Sequence, residues 1–220
     1  MNNTLKNTLF FLLPFMPQFM LNWMNRQIGV KQFEKWQKTG FPVPSPHLLK
    51  QNVIAEYQEK SGCSVFIETG TYLGDMVQAQ KKRFKRIISI ELGAKLAENA
   101  RKRFRRDKHI TIIQGDSSKM LSVVLADINE PVLFFLDGHY SSGLTTRGDK
   151  VCPIFEELEA IFNEKKFNHV ILIDDARLFD GTDDYPTMDE LKEYIAKKNR
   201  GYSVEIKHDV IRCVIRGEGD

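Results

Sequence analysis

Three aspartates carry the clearest chemistry in this sequence of 220 residues. Asp137 closes the apolar run "PVLFFLD", and the adjacent Asp174 and Asp175 close "HVILIDD". A buried strand does not ordinarily finish on two neighbouring like charges. Carboxylates gathered at one point repel and raise each other's pKa unless a cation neutralises them. Hard oxygen ligands of this kind suit Mg²⁺, which retains waters and leaves room for substrate oxygens. The plainer alternative is helix capping with solvent exposure, but a cap needs only one of the two adjacent acids.

A second group lies earlier in the chain. "ETGTYLGD" (68–75) sets Gly70 and Gly74 around a turn into a helix, where backbone can approach a ligand closely. The spacing is not the G-x-G-x-x-G of dinucleotide sites, which speaks against a nicotinamide oxidoreductase. Glu68, ahead of the first glycine, disfavours a phosphate and favours a cationic or hydroxylated ligand. Glu91 ends "RIISIE", a position where an acid accepts hydrogen bonds from ribose hydroxyls in folds of this kind. "QGDSS" then places Asp116 and Ser117 after a third apolar run, able to contact an adenine edge.

These residues are useful together only if one framework holds them at one rim. Apolar runs predict strands over 64–68, 86–91, 109–114, 131–137 and 169–174, and amphipathic stretches predict helices over 75–84, 94–104, 117–127, 153–163 and 187–199. "YSVEIK" and "VIRCVIR", separated by two residues, predict a terminal antiparallel hairpin. Alternation of this kind predicts an α/β, Rossmann-like, doubly wound and mostly parallel seven-stranded sheet over residues 61–220. Ligands of such sheets bind beyond the carboxyl ends of the strands, where every acid named above falls. Residues 1–60 lack the alternation and read as an apolar, helical extension broken at "TGFPVPSPH" (39–47).

The combination resembles the class I S-adenosylmethionine-dependent methyltransferases over roughly residues 60–216. The E-x-G-x-x-x-G motif (Glu68, Gly70, Gly74), Glu91 and Asp116 fall where that family binds its cofactor. The resemblance implies that Glu68, Gly70, Thr71 and Gly74 face the methionine moiety, that Glu91 holds the ribose, and that Asp116 with Ser117 meets the adenine. It also sets Asp137 beside the cofactor. The aspartate trio is similar to that of the metal-dependent O-methyltransferases, both the catechol and the macrolide-sugar types. This implies Mg²⁺ on Asp137, Asp174 and Asp175, and methylation of a hydroxyl on a small polar or sugar-like substrate. One position departs from the pattern: three residues after the first aspartate, where the catechol type carries a lysine base, stands Tyr140. His139 is the nearer candidate base, with an unperturbed pKa near working pH. Equally, it could orient its loop. A metal-independent methyltransferase using His139 is therefore the alternative reading. A non-catalytic membrane-surface or partner-binding module on the same scaffold is a third.

The remaining features set bounds. A net charge of +3 is too small for nucleic acid to be the expected partner. The basic runs "KKRFKR" (81–86) and "RKRFRR" (101–106) stand where helices should end, and cations there complement the helix dipole. Cys63, Cys152 and Cys213 show neither pairing nor metal-ligand spacing, as expected of a cytoplasmic protein. The loops 139–153 and 177–187 read as polar covers over a substrate. "TLFFLLPFMPQFMLNWM" (8–24) is interrupted by Pro14 and Pro17, which argues against a span. Two readings of it stand: peripheral contact with a membrane interface, with Arg26 and Lys31 at the headgroups, or packing against the domain or a second subunit.

Overall fold

Runs of β-branched and aromatic residues without polar alternation form strands covered on both faces. That pattern builds the centre of the sheet here. The computed structural model describes residues 18–137 and 152–217. It divides into two units, 1–49 and 50–220. The first holds α1 (Gln18–Lys38), where Trp36 turns the chain: its indole donates to the Pro42 carbonyl at 2.7 Å and its ring meets Phe41 edge-on. This closure falls at the break read from 39–47. The next helix, α2 (His47–Ser61), belongs to the second unit from Lys50 onward.

The second unit continues with β1 (Val65–Thr69), α3 (Asp75–Gln80), β2 (Arg86–Glu91), α4 (Ala94–Phe104), β3 (Ile110–Gln114), α5 (Ser117–Leu125) and β4 (Val132–Leu136). After the interval that is not described come α6 (Ile154–Asn163), β5 (Val170–Ile173), a 3₁₀ turn (Ala176–Leu178), α7 (Met188–Lys198), β6 (Tyr202–Lys207) and β7 (Val210–Ile215). The seven strands run in the order β3-β2-β1-β4-β5-β7-β6. The first five pair in parallel, while β7 is antiparallel to both β5 and β6. The expected sheet and its terminal hairpin are both present. The order reverses between β1 and β4, which makes their carboxyl ends the natural ligand crevice.

β1, β4 and β5 are buried along their whole length. On one face Ile67, Ile90, Phe134 and Ile171 pack with Leu121 of α5, Leu158 and Ile161 of α6, and Leu191 of α7. The helix expected over 75–84 stops at Gln80, and the cause is local. The Arg83 N–H returns to the Gln80 carbonyl, and Phe84 then turns inward to stack on Phe66 with centroids 5.0 Å apart. Part of each basic run is tied within the domain: Lys81 pairs with Asp107, Arg83 with Glu59, and Arg101 donates to the Ile112 carbonyl. The three cysteines are buried and none forms a disulfide.

Candidate functional site

Backbone pairing carries the sheet one residue past its strands and thereby aligns the rim. Gly70 N–H donates to the Ile90 carbonyl at 2.9 Å, and Gly115 N–H to Glu91 at 2.9 Å. Asp137 N–H donates to Thr69 at 3.1 Å, and Asp174 N–H to Leu136 at 3.0 Å. The residues read from sequence as cofactor and metal ligands therefore stand along one edge, on both sides of the switch point.

On the β1–β2 side the acids are knitted into the turns. Glu68 is sealed beneath the first turn at 1% exposure, where the Ser89 hydroxyl donates to it at 2.6 Å. Thr71 Oγ1 lies 2.5 Å from the same serine oxygen. Burial pushes the Glu68 carboxyl up to about 8, with the Ser89 hydrogen bond pulling the other way. Glu91 ties two loops together, one carboxylate oxygen accepting Tyr72 N–H at 2.7 Å and the other Gly93 N–H at 2.8 Å. Each oxygen keeps a second lone pair for a ligand hydroxyl. Asp116 caps α5, accepting the Ser118 N–H and hydroxyl on one oxygen at 3.0 and 2.6 Å, and Ser117 is buried beside it. Gly74 adopts φ 78°, and a Cβ there would lie 2.8 Å from the Phe104 ring. Close packing of α4, as well as the turn, thus requires a glycine.

On the β4–β5 side the three aspartates converge. Asp137, Asp174 and Asp175 each offer a carboxylate oxygen, all within 4.8 Å of one another. Neighbouring residues of an extended strand point to opposite faces. Here Asp175 takes a left-handed conformation, φ 55°, which breaks the alternation and brings both carboxylates to one side. It begins the 3₁₀ turn without making a side-chain cap, so capping does not account for the pair. One Asp174 oxygen accepts the Asp175 N–H at 2.8 Å.

Two cations that the sequence reading missed complete this cluster. Lys50 Nζ donates to Asp174 Oδ2 and, at 3.3 Å, to Asp175 Oδ1. Arg177 donates to Asp175 Oδ1 at 2.7 Å and to Asp209 Oδ2, joining the tip of the β6–β7 hairpin to the cluster. Burial lowers the hold of Lys50 on its proton, but Asp174, Asp175 and Asp137 outweigh it and raise its pKa. Burial likewise pushes Asp174 up to about 6, against the opposing pull of the ammonium. No local sequence pattern marks Lys50, which stands 124 residues from Asp174. Asp209 was legible only as a turn residue between two strands.

The donor set fits Mg²⁺. It consists of three hard carboxylates gathered at a partly buried rim, and the three negative charges are only partly offset by the Lys50 ammonium and by the Arg177 guanidinium, which Asp209 shares. A cleft of about 530 Å³ opens among Phe155, Asp184, Tyr185, Glu190, Tyr194 and Lys197. Burial, with the charges of Cys152, Asp175 and Asp137, raises the phenol pKa of Tyr185 in this cleft. Within the loop 177–187, Asp180 is turned onto Thr182, accepting its N–H and hydroxyl. His139 and Tyr140, with residues 141–151 of the first loop, lie outside the described residues.

No protein-family profile and no curated protein matches the chain. Solved structures do match. An O-methyltransferase from Bacillus cereus bound to SAH superposes with a TM-score of 0.58 at 14% identity, covering 91% of this chain and 93% of its own. An SAH-bound methyltransferase from Podospora anserina gives 0.54 at 16% identity, over 86% and 88% of the two chains. An O-methyltransferase from Streptomyces achromogenes, bound to SAM, gives 0.54 at 13%, over 86% and 89%. The fold is the Rossmann-like class I methyltransferase fold, and its solved counterparts include O-methyltransferases.

Proposed function

We propose that the chain transfers a methyl group from S-adenosylmethionine to a hydroxyl of a small polar or sugar-like substrate, assisted by Mg²⁺. The observation that carries this reading is the placement of Asp137, Asp174 and Asp175 at one rim, joined through Thr69 and Leu136 to the glycine turn of β1. When bound, S-adenosylmethionine supplies an electrophilic methyl, and Mg²⁺ lowers the pKa of the hydroxyl it holds.

The residues of the chain supply position. Glu91 offers its remaining lone pairs to ribose hydroxyls while fixing the Tyr72 and Gly93 backbones. Gly70 and Thr71 form the turn facing the methionine end. Asp116 and Ser117 stand at the adenine end. Asp137, Asp174 and Asp175 would hold the ion, and Asp137 also borders the cofactor. His139 is the proposed base for the substrate proton. Such a site accelerates reaction mainly by aligning donor and acceptor and excluding water. The hydroxylated substrate class draws support from the cleft beside Tyr185, whose carboxylates and phenols suit hydroxyl groups.

Lys50 supports the second reading, a metal-independent methyltransferase, because it already places a cation on Asp174 and Asp175. Isothermal titration with S-adenosylmethionine and its demethylated product tests the cofactor. Absence of binding by both would remove the methyltransferase reading. Methyl transfer to a panel of polyols and sugars, with and without EDTA, then separates the two mechanisms. Turnover unaffected by EDTA and by Asp174→Ala would leave only the metal-independent one.

A further inference from the structure

From the position of its ammonium we infer that Lys50 is a displaceable resident cation of the aspartate cluster, which a divalent ion must expel in order to bind. The inference rests on the proposed Mg²⁺ reading of Asp137, Asp174 and Asp175 and adds a residue that sets the affinity of that site.

Three observations lead to it. First, the ammonium holds Asp174 Oδ2 and Asp175 Oδ1, while Asp174 Oδ1 accepts the Asp175 N–H. An ion reaching Asp174 therefore meets one oxygen held by Lys50 and another held by backbone. Second, the pair is enclosed: the side chains of Asp174 and Lys50 are 0% and 14% exposed. Two cations on the same oxygens, a few ångströms apart and poorly screened, repel strongly. Third, Arg177 is anchored by Asp209 as well as by Asp175, so it is fixed in place. Among the described residues Lys50 is held by the cluster alone, on a flexible four-carbon stem that can carry the ammonium away. It stands in the first turn of α2.

An ordinary structural ion pair makes a different prediction. A lysine that only steadies the rim would, when removed, weaken every property of the cluster, ion binding included. A competing lysine, when removed, strengthens ion binding while weakening the ion-free protein.

The experiment is titration calorimetry of the full chain with MgCl₂ and with MnCl₂, without cofactor, on the unaltered protein and on Lys50→Met, Lys50→Gln and Lys50→Arg. The expected result is affinity about tenfold or more tighter for the Met and Gln variants, in line with coupling between close charges, and no tighter for Arg. Melting temperatures should agree: Lys50→Met melts lower than the unaltered chain without the ion and gains more on adding Mg²⁺. Circular dichroism covers a Met variant too unstable to titrate. Folding recovered by Mg²⁺ supports the exchange, and a chain unfolded with and without the ion overturns it. Equal ion affinity in all four proteins overturns the role of Lys50 and leaves the metal reading intact. Absence of ion binding in all four, the Met and Gln variants included, overturns the metal reading and the inference with it.

Discussion

Arg177 joins Asp175 to Asp209, donating to both, and so fastens the loop after β5 to the tip of the β6–β7 hairpin. Asp209 serves this loop three ways: its carboxylate takes the guanidinium and the Arg177 N–H at 2.9 Å, and its carbonyl takes the Ala176 N–H at 3.0 Å. Its side chain is 1% exposed. Asp209→Ala leaves the Arg177 backbone and side-chain donors without these acceptors and should destabilise the protein by about 2 kcal/mol. Urea unfolding with an unchanged slope would show that the loss lies in the native state. Because Asp175 loses its brace, methyl transfer should fall further than stability alone explains. A variant matching the unaltered chain in both measurements would remove the bracing role.

Glu68 ties stability to pH in a direction opposite to that of most paired carboxylates. Burial lifts its pKa from 4.5 to about 8, so the folded chain keeps a proton that the unfolded chain releases. The unfolded state binds fewer protons between those values, and stability must fall as pH rises through them. His169 works the other way at lower pH. Burial lowers it from 6.5 to about 4, so its contribution is lost as pH falls through that range. Asp174, raised to about 6, acts in the same direction mainly below pH 6.5, so Glu68 carries most of the change from pH 6.5 to 8, a loss of about 2 kcal/mol. Glu68→Gln should flatten that slope. An unchanged slope in urea midpoints over the window would show that Glu68 does not carry it.

The contrast between Asp137 and Lys50 shows what a sequence can reveal. Asp137, Glu91 and Asp174 were legible because a parallel sheet puts the residue after every strand at the same rim, whatever the rest of the chain does. The glycine turn was legible as well, although part of the reason for Gly74 is the Phe104 ring, which no local pattern shows. Lys50 belongs to a helix that precedes the first strand and meets the rim only through tertiary packing. Asp209 was hidden for the same reason, since its service to Arg177 depends on β7 pairing with β5. The helix expected through Phe84 failed at Gln80 because the pull of Phe66 on the Phe84 ring outweighs the helical preference of a lysine- and arginine-rich stretch.

Gly74 offers a test of packing at the cofactor turn. Gly74→Ala meets both an unfavourable φ of 78° and the Phe104 ring at 2.8 Å, and should cost about 1–3 kcal/mol. Phe104→Leu removes the ring contact while leaving the backbone strain. The double variant should therefore recover part of the Gly74→Ala loss, an interaction read from a double-mutant cycle by thermal or urea unfolding. Strict additivity would mean that the ring plays no part and that φ alone demands the glycine.

The N-terminal segment can be followed through its own fluorescence. The chain has two tryptophans. Trp36 is 6% exposed and donates to Pro42, whereas Trp23, on the apolar stretch 8–24, is 63% exposed. A change in solvent around that stretch must therefore register at Trp23, with Trp36 a nearly silent background. No helix among the described residues is long and apolar enough to cross a membrane. The proposed contact is an interfacial one. Arg26 and Lys31, further along α1, favour anionic headgroups. Vesicles containing phosphatidylserine should shift the emission to the blue, and neutral vesicles should do so less. High salt should weaken the response, and Trp23→Phe should abolish it. A blue shift that grows with protein concentration and ignores lipid would instead assign the stretch to contact between copies of the chain. No shift under either condition would exclude both readings for Trp23.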